Sequence, residues 1–137
     1  MDTGLSIYRQ RFSGDIHWGY DLFNIGAYYA QYERITAHWR AVIPAACQME
    51  VVYEDLARNQ ETISRRLIDF LDLPWDPRCL DFHKMKRCVH TASDLQVKQP
   101  MYLDSIGRWK NYRHFLDPLR EGLKSGTIRA GAVTASG

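Results

Sequence analysis

Seven basic residues, Lys84, Lys86, Arg87, Lys98, Arg108, Lys110 and Arg113, stand between positions 84 and 113 against two acids, Asp94 and Asp104. The segment is therefore +5, and because the whole chain is +2 the remainder is −3. Two stretches within it, TASDLQVKQPMY (91–102) and SIGRWKNY (105–112), mix hydroxyl, amide and cationic donors. From Thr91 to Trp109 neither the helical nor the strand period of apolar residues is present. Polar connections longer than about a dozen residues are usually functional or disordered, and this one is too aromatic in composition to read as disordered. Donors in a locally positive field suit a small polyanion. A solvated basic face competes on charge alone, and a nucleic-acid surface, which would show steep salt dependence, has no recognisable module behind it.

Other residue sets suggest chemistry and fail on context. Cys79, His83, Cys88 and His90 are potential zinc ligands, but their spacing matches no familiar site. Lys124–Thr127 spells KSGT, similar to a loop that cradles phosphate. Such a loop works when it leaves a strand and opens a helix whose N-terminal amides face the anion, whereas here a helical segment precedes it and a weak tail follows. His17, His38 and His114 lie in no motif that would make them bases, and read as solvated or core histidines.

These groups must be positioned by a scaffold of ordinary globular composition: 137 residues, 45% hydrophobic and 25% charged, enough for one domain with a core. No run of 18 apolar residues exists, and MDTGLSIYRQRF lacks a signal-peptide core. The cysteines, Cys47, Cys79 and Cys88, are odd in number and widely spaced, which fits a reducing compartment. The expectation is a soluble, cytoplasmic protein without membrane or nucleic-acid partners.

Between Tyr20 and Val42, Leu22, Ile25, Tyr28, Tyr29, Tyr32, Ile35, Trp39 and Val42 recur every three or four residues and predict a long amphipathic helix. CQMEVVY (47–53) predicts a short strand that YEDL leaves. Asn59 is a candidate cap for a second helix with Ile63, Leu67, Phe70 and Leu71 as its buried stripe, stopped by LPWDP. A turn is expected at 78–82 and a helix at 105–112. Asp117 and Pro118 would open a last helix ending near Gly126. Trp18, Trp39, Trp75 and Trp109 read as packing residues. The strand is the anomaly: apolar on both faces, it belongs inside a sheet covered by helices, yet the chain offers no second strand of that kind. Unpaired backbone groups, if buried, cost of the order of 1–3 kcal/mol each, so its partners are expected from elsewhere.

Taken together, LSIYRQ, YEDL, FLDLPWDP, LDFH, TAS-x-x-QV-x-QP-x-Y and S-x-GRW-x-x-Y resemble the C-terminal half of sulfotransferases that use 3′-phosphoadenosine 5′-phosphosulfate. The likeness is greatest to the bacterial group associated with tetratricopeptide repeats and more distant to protein-tyrosine sulfotransferases. The resemblance implies an α/β fold: the C-terminal portion of a P-loop-like domain, mostly helical with few strands in this chain. Residues 1–124 would form that partial domain, without the phosphosulfate-loop half, and 125–137 a disordered tail. It implies that Ser6 binds the 3′-phosphate, although the family often has Cys where Gly4 stands, and that Tyr53 lies at the nucleotide. Ser93 would contact the 5′-phosphosulfate and help stabilise the transition state. Gln96, Val97, Lys98, Pro100 and Tyr102 would wrap the cofactor, and Arg108 would approach the 3′-phosphate end. Sulfuryl transfer places charge on equatorial and leaving oxygens, so positioned donors and cations carry such catalysis.

The implied function is sulfuryl transfer to a hydroxyl or amine acceptor that these residues do not identify, leaving 3′-phosphoadenosine 5′-phosphate. This chain, lacking the phosphosulfate loop and a general base, is expected to be inactive alone. The competing reading is a noncatalytic helical module that dimerises or associates through an uncovered apolar face.

Overall fold

The computed structural model describes residues 1–10, 12, 16–84 and 99–129. The α-helices in chain order are α1 (Asp2–Arg9), α2 (Leu22–Val42), α3 (Tyr53–Arg58), α4 (Gln60–Phe70) and α5 (Asp117–Ser125). Short 3-10 helices occupy His17–Tyr20, Ala45–Cys47, Pro77–Lys84 and Arg108–Phe115. The chain divides into one compact unit of Met1–Val42 with Gly107–Gly137 and a second of Ile43–Ile106.

The first unit is built on the crossing of α2 and α5. Both helices place glycine or alanine at the crossing among their buried residues: Phe23, Asn24, Ile25, Gly26, Ala27 and Ala30 are buried on α2, and Leu119 and Gly122 on α5. The backbones approach so closely that a Cβ on Gly122 would strike the Phe23 carbonyl oxygen and come within 2.8 Å of its carbon and 2.9 Å of the Ala27 nitrogen. A Cβ on Gly26 would likewise meet the Leu119 carbonyl. Helix axes normally sit 8–10 Å apart, and only hydrogen side chains at the contact permit this approach. Ile25 (2% exposed), Leu116 (1%) and Leu119 (2%) fill the space around the crossing, each contributing roughly 1.5–3 kcal/mol by burial. α1 docks on the same core: Leu5 is buried, and Gly4 lies against the Leu119 and Ile25 side chains.

The ends of these helices have local causes. Pro118 sits in the first turn of α5, where its missing N–H is not needed. Gly126 closes the helix in the left-handed region (φ 63°), its N–H donating to the Gly122 carbonyl at 2.9 Å. Asp117 is the first helical residue rather than the cap, and its carboxylate pairs with Arg120. Beyond α5, the buried Asn24 amide clasps the backbone of Arg129: Nδ2 donates to its carbonyl (3.1 Å) and Oδ1 accepts its N–H (2.7 Å). The Arg129 guanidinium lies 3.4 Å from the Phe23 ring centroid. Within the region read as a tail, residues 125–129 are thus described and held, and 130–137 lie outside the described residues.

Helix α2 spans nearly the expected residues, but its buried face differs. Tyr32 (53% exposed), Ile35, Trp39 and Val42 (55%) lie open to solvent. The physical reason is that α5 covers only the N-terminal half of α2, along the small-residue face; from Gln31 onward no residue of the helix is buried. Trp39 therefore is not a packing residue among the described contacts, whereas Trp18 is, its ring stacked on Tyr28 at 4.1 Å and 2°.

In the second unit, α3 and α4 follow one another with a break at Asn59, which occupies the cap position without a side-chain cap hydrogen bond. The end of α4 is a tight reversal in which Asp72 adopts φ 54°, its N–H donates to Asp69 and the Leu73 N–H reaches back to Ile68. Arg65 bonds Glu61 one turn away and covers the Trp75 ring at 4.2 Å. Gln60 Nε2 donates to the Leu80 carbonyl at 3.3 Å, tying α4 to the 77–84 turn. No residue of this unit is buried among the described residues. The predicted stripe Ile63, Leu67, Phe70 and Leu71 is half-buried at best, with Leu71 52% exposed. The strand expected at Cys47–Tyr53 does not form. Gln48 (φ −140°, ψ 139°) and Val52 (φ −76°, ψ 121°) are extended, but no strand among the described residues offers a ladder, and Tyr53 already begins α3.

Candidate functional site

In the first unit, α1 and the Gly-Arg-Trp turn are joined by one carboxylate. Asp2 Oδ2 accepts the Gly107 N–H and Oδ1 accepts the Trp109 N–H, both at 2.8 Å. The turn needs its glycine: Gly107 has φ 76°, a region that costs an L side chain roughly 1–2 kcal/mol. Its carbonyl accepts the Lys110 N–H (3.1 Å), which starts the 3-10 helix. Trp109 is half-buried, with the Arg120 guanidinium 6.0 Å from its ring. Arg108 is exposed between the two anchored amides.

Ser6 lies four residues after Asp2 on α1, hence on the same helix face, one turn further along. It too is exposed. Among the described residues neither the Ser6 hydroxyl nor the Arg108 guanidinium has a hydrogen-bond or ion-pair partner. A hydroxyl donor and a planar cationic fork in one compact unit can bind a phosphate group, the guanidinium bidentately.

Tyr53, Pro100 and Tyr102 belong to the second unit. Tyr53 opens α3 instead of ending a strand, with the Val52 carbonyl accepting the Asp55 and Leu56 N–H groups. At 47% exposure it is a surface residue. Pro100 is exposed and Tyr102 half-buried. Ser93, Gln96, Val97 and Lys98 lie outside the described residues. The structure therefore brings Ser6 and Arg108 into one unit and gives Tyr53 and Tyr102 their local settings.

Lys124 and Ser125 end α5, and Gly126 is its C-terminal cap, so KSGT presents a helix C-terminus and not the amide-rich N-terminus an anion needs. Cys79 is a free exposed thiol, Cys88 and His90 lie outside the described residues, and no group of metal-ligating side chains gathers among the described residues. No described helix is long and apolar enough to cross a membrane.

Asp2 is the residue at this turn that pattern reading missed. Its spacing to Ser6 was a visible hint, but its partners are over a hundred positions away, at |i−j| of 105 and 107.

The sequence profile of the Sulfotransferase family matches residues 1–77, a stretch that includes Ser6 and Tyr53. An uncharacterised protein of Aquifex aeolicus (strain VF5) is 34% identical over 129 residues, covering 92% of this chain and 17% of its own length. Protein-tyrosine sulfotransferase A of Caenorhabditis elegans is 34% identical over 67 residues, 44% of this chain and 17% of its own. The chain thus spans about a sixth of the length of these curated relatives, 17% in each case. No solved structure matches.

Proposed function

This chain belongs to the sulfotransferase family, and we propose that it forms the nucleotide-holding C-terminal portion of an α/β, P-loop-like domain that uses 3′-phosphoadenosine 5′-phosphosulfate. Residues 1–124 would constitute that portion, of the bacterial, tetratricopeptide-associated kind. The observation that carries the proposal is the Asp2 bridge, which unites the helix bearing Ser6 with the turn bearing Arg108. When bound, the nucleotide supplies an activated sulfuryl group. Arg108 and Ser6 bind and orient its 3′-phosphate, each charged hydrogen bond contributing about 1.5–3 kcal/mol. Tyr53, an exposed residue, would lie at the nucleotide. By the family resemblance Ser93 would donate to the sulfuryl end, and Gln96, Val97, Lys98, Pro100 and Tyr102 would wrap the cofactor. The acceptor is a hydroxyl or amine; that the nematode relative is a protein-tyrosine sulfotransferase is compatible with a phenolic one.

The exposed apolar face of α2 and a second unit in which no described residue is buried support the reading that this is one part of a larger domain, which alone binds nucleotide without turnover. Calorimetry with 3′-phosphoadenosine 5′-phosphate tests it. Binding weakened at least tenfold by Arg108→Ala and by Ser93→Ala is expected, with no sulfuryl transfer by the isolated chain. A folded, monodisperse sample that binds no nucleotide would overturn it.

The same exposed stripe, Tyr32, Ile35, Trp39 and Val42, favours one second reading, a noncatalytic module that self-associates. Sedimentation of a concentration-dependent dimer that Trp39→Asp dissolves, together with absent nucleotide binding, would select that reading.

A further inference from the structure

The two amides that Asp2 accepts belong to Gly107 and Trp109, the immediate neighbours of Arg108. The Trp109 N–H lies in the peptide plane that leaves Arg108 and the Gly107 N–H one plane before the one that enters it, so the two bonds bracket Arg108 and, with Gly107 at φ 76°, restrict the direction in which its side chain leaves the backbone. We propose that Asp2 is a positioning residue for Arg108, holding the guanidinium to the 3′-phosphate; this rests on the nucleotide reading above. The geometry also assigns the labour within the turn. The Gly107 and Trp109 N–H groups, which would otherwise face an anion at the start of the 3-10 helix, are already occupied by the Asp2 carboxylate. A phosphate contact at this turn therefore falls to Arg108 and not to the Gly107 and Trp109 amides. Because Ser6 stands one turn from Asp2 on α1, the same carboxylate sets the spacing between both phosphate donors.

Asp2→Asn is nearly isosteric and discriminates sharply. An amide oxygen can still accept one N–H, but the NH2 group opposes the other, so one anchor becomes a donor-to-donor clash. The measurement is the affinity of the full chain for adenosine 3′,5′-bisphosphate relative to adenosine 5′-monophosphate, which lacks the 3′-phosphate. Asp2→Asn is expected to lower that ratio about tenfold, or about 1.4 kcal/mol, while the monophosphate affinity and the circular dichroism spectrum stay unchanged. In an Arg108→Ala background the same substitution should change the ratio less than about twofold, since coupled residues are not additive. An unchanged ratio, an equal loss for both nucleotides, or full additivity with Arg108→Ala would overturn the positioning role and leave the nucleotide site standing. A wild-type chain that binds neither nucleotide would fail the site itself, and the Asp2 role with it. Should Asp2→Asn fail to fold, Asp2→Glu, which keeps both acceptor oxygens but displaces them, is measured by the same ratio and judged by the same outcomes.

Discussion

Replacing Gly122 by alanine tests the crossing on which the Ser6 and Arg108 elements rest. In an exposed helix this change is favourable, by about 0.8–1.0 kcal/mol of helix propensity. Here the added methyl would collide with the Phe23 carbonyl and lie 2.8 Å from its carbon and 2.9 Å from the Ala27 nitrogen. These are backbone atoms of α2, which no side-chain rotation can remove. The helices must separate, loosening Ile25, Leu116 and Leu119 around the contact. Overpacking of this kind costs typically 1–3 kcal/mol, and the rigid neighbour puts it at the upper end, about 3 kcal/mol. Less the propensity gain, Gly122→Ala should destabilise the chain by about 2 kcal/mol. Urea denaturation followed by circular dichroism reads this as a lower midpoint with an unchanged slope. Gly4→Ala is the internal comparison, because the nearest atom to its new Cβ is the terminal methyl of Leu119, which can turn aside. A Gly122→Ala variant as stable as the parent, or more so, would refute the close crossing.

Three further outcomes follow from single observations. Asp72→Gly removes a left-handed L residue at the end of α4 and should raise stability by about 0.5–1 kcal/mol, seen in a thermal melt. Asn24→Ala strips both bonds to Arg129 and should cost about 1–3 kcal/mol, with faster amide hydrogen exchange at Arg129. The hydrogen bonds from Arg78 hold the Asp76 carboxyl below its usual value of 3.8. A depressed carboxyl stabilises the fold above its unfolded pKa and loses that contribution as pH falls through the folded value. Any benefit of this solvent-exposed pair is thus present above about pH 4 and fades below it. Carbon-detected NMR should show Asp76 titrating lower in the parent than in Arg78→Ala.

Much of the scaffold was legible along the chain because its causes are local. The extents of α2, α4 and α5 follow from periodicity and from punctuation by Pro74, Pro118 and Gly126, whose effects reach only one turn. The helix expected at 105–112 is instead a turn with Gly107 at φ 76° followed by a 3-10 helix from Arg108 to Phe115, because a left-handed glycine interrupts the helical path. α1 was missed because LSIYRQ is short and its apolar residues too few to declare a period. The face buried on α2 was misread for a different reason: large apolar residues mark a surface that wants cover, whereas Gly26, Ala27 and Ala30 mark one that can be approached closely. Only the position of α5 selects between them. The run MEVV looked like a strand because its residues favour extended backbone, and Gln48 and Val52 are extended, but a strand also requires a neighbour.

The sequence by itself determined α2, α4 and α5, their ends and the donors suited to a phosphate, because backbone hydrogen bonds, caps and side-chain chemistry act within a few residues. Tertiary structure alone decided that Asp2 meets Gly107 and Trp109, and that Ser6 and Arg108 share a unit. Those contacts close across most of the chain, and their formation depends on the α2–α5 crossing that brings the two ends of the first unit together, which no local pattern encodes.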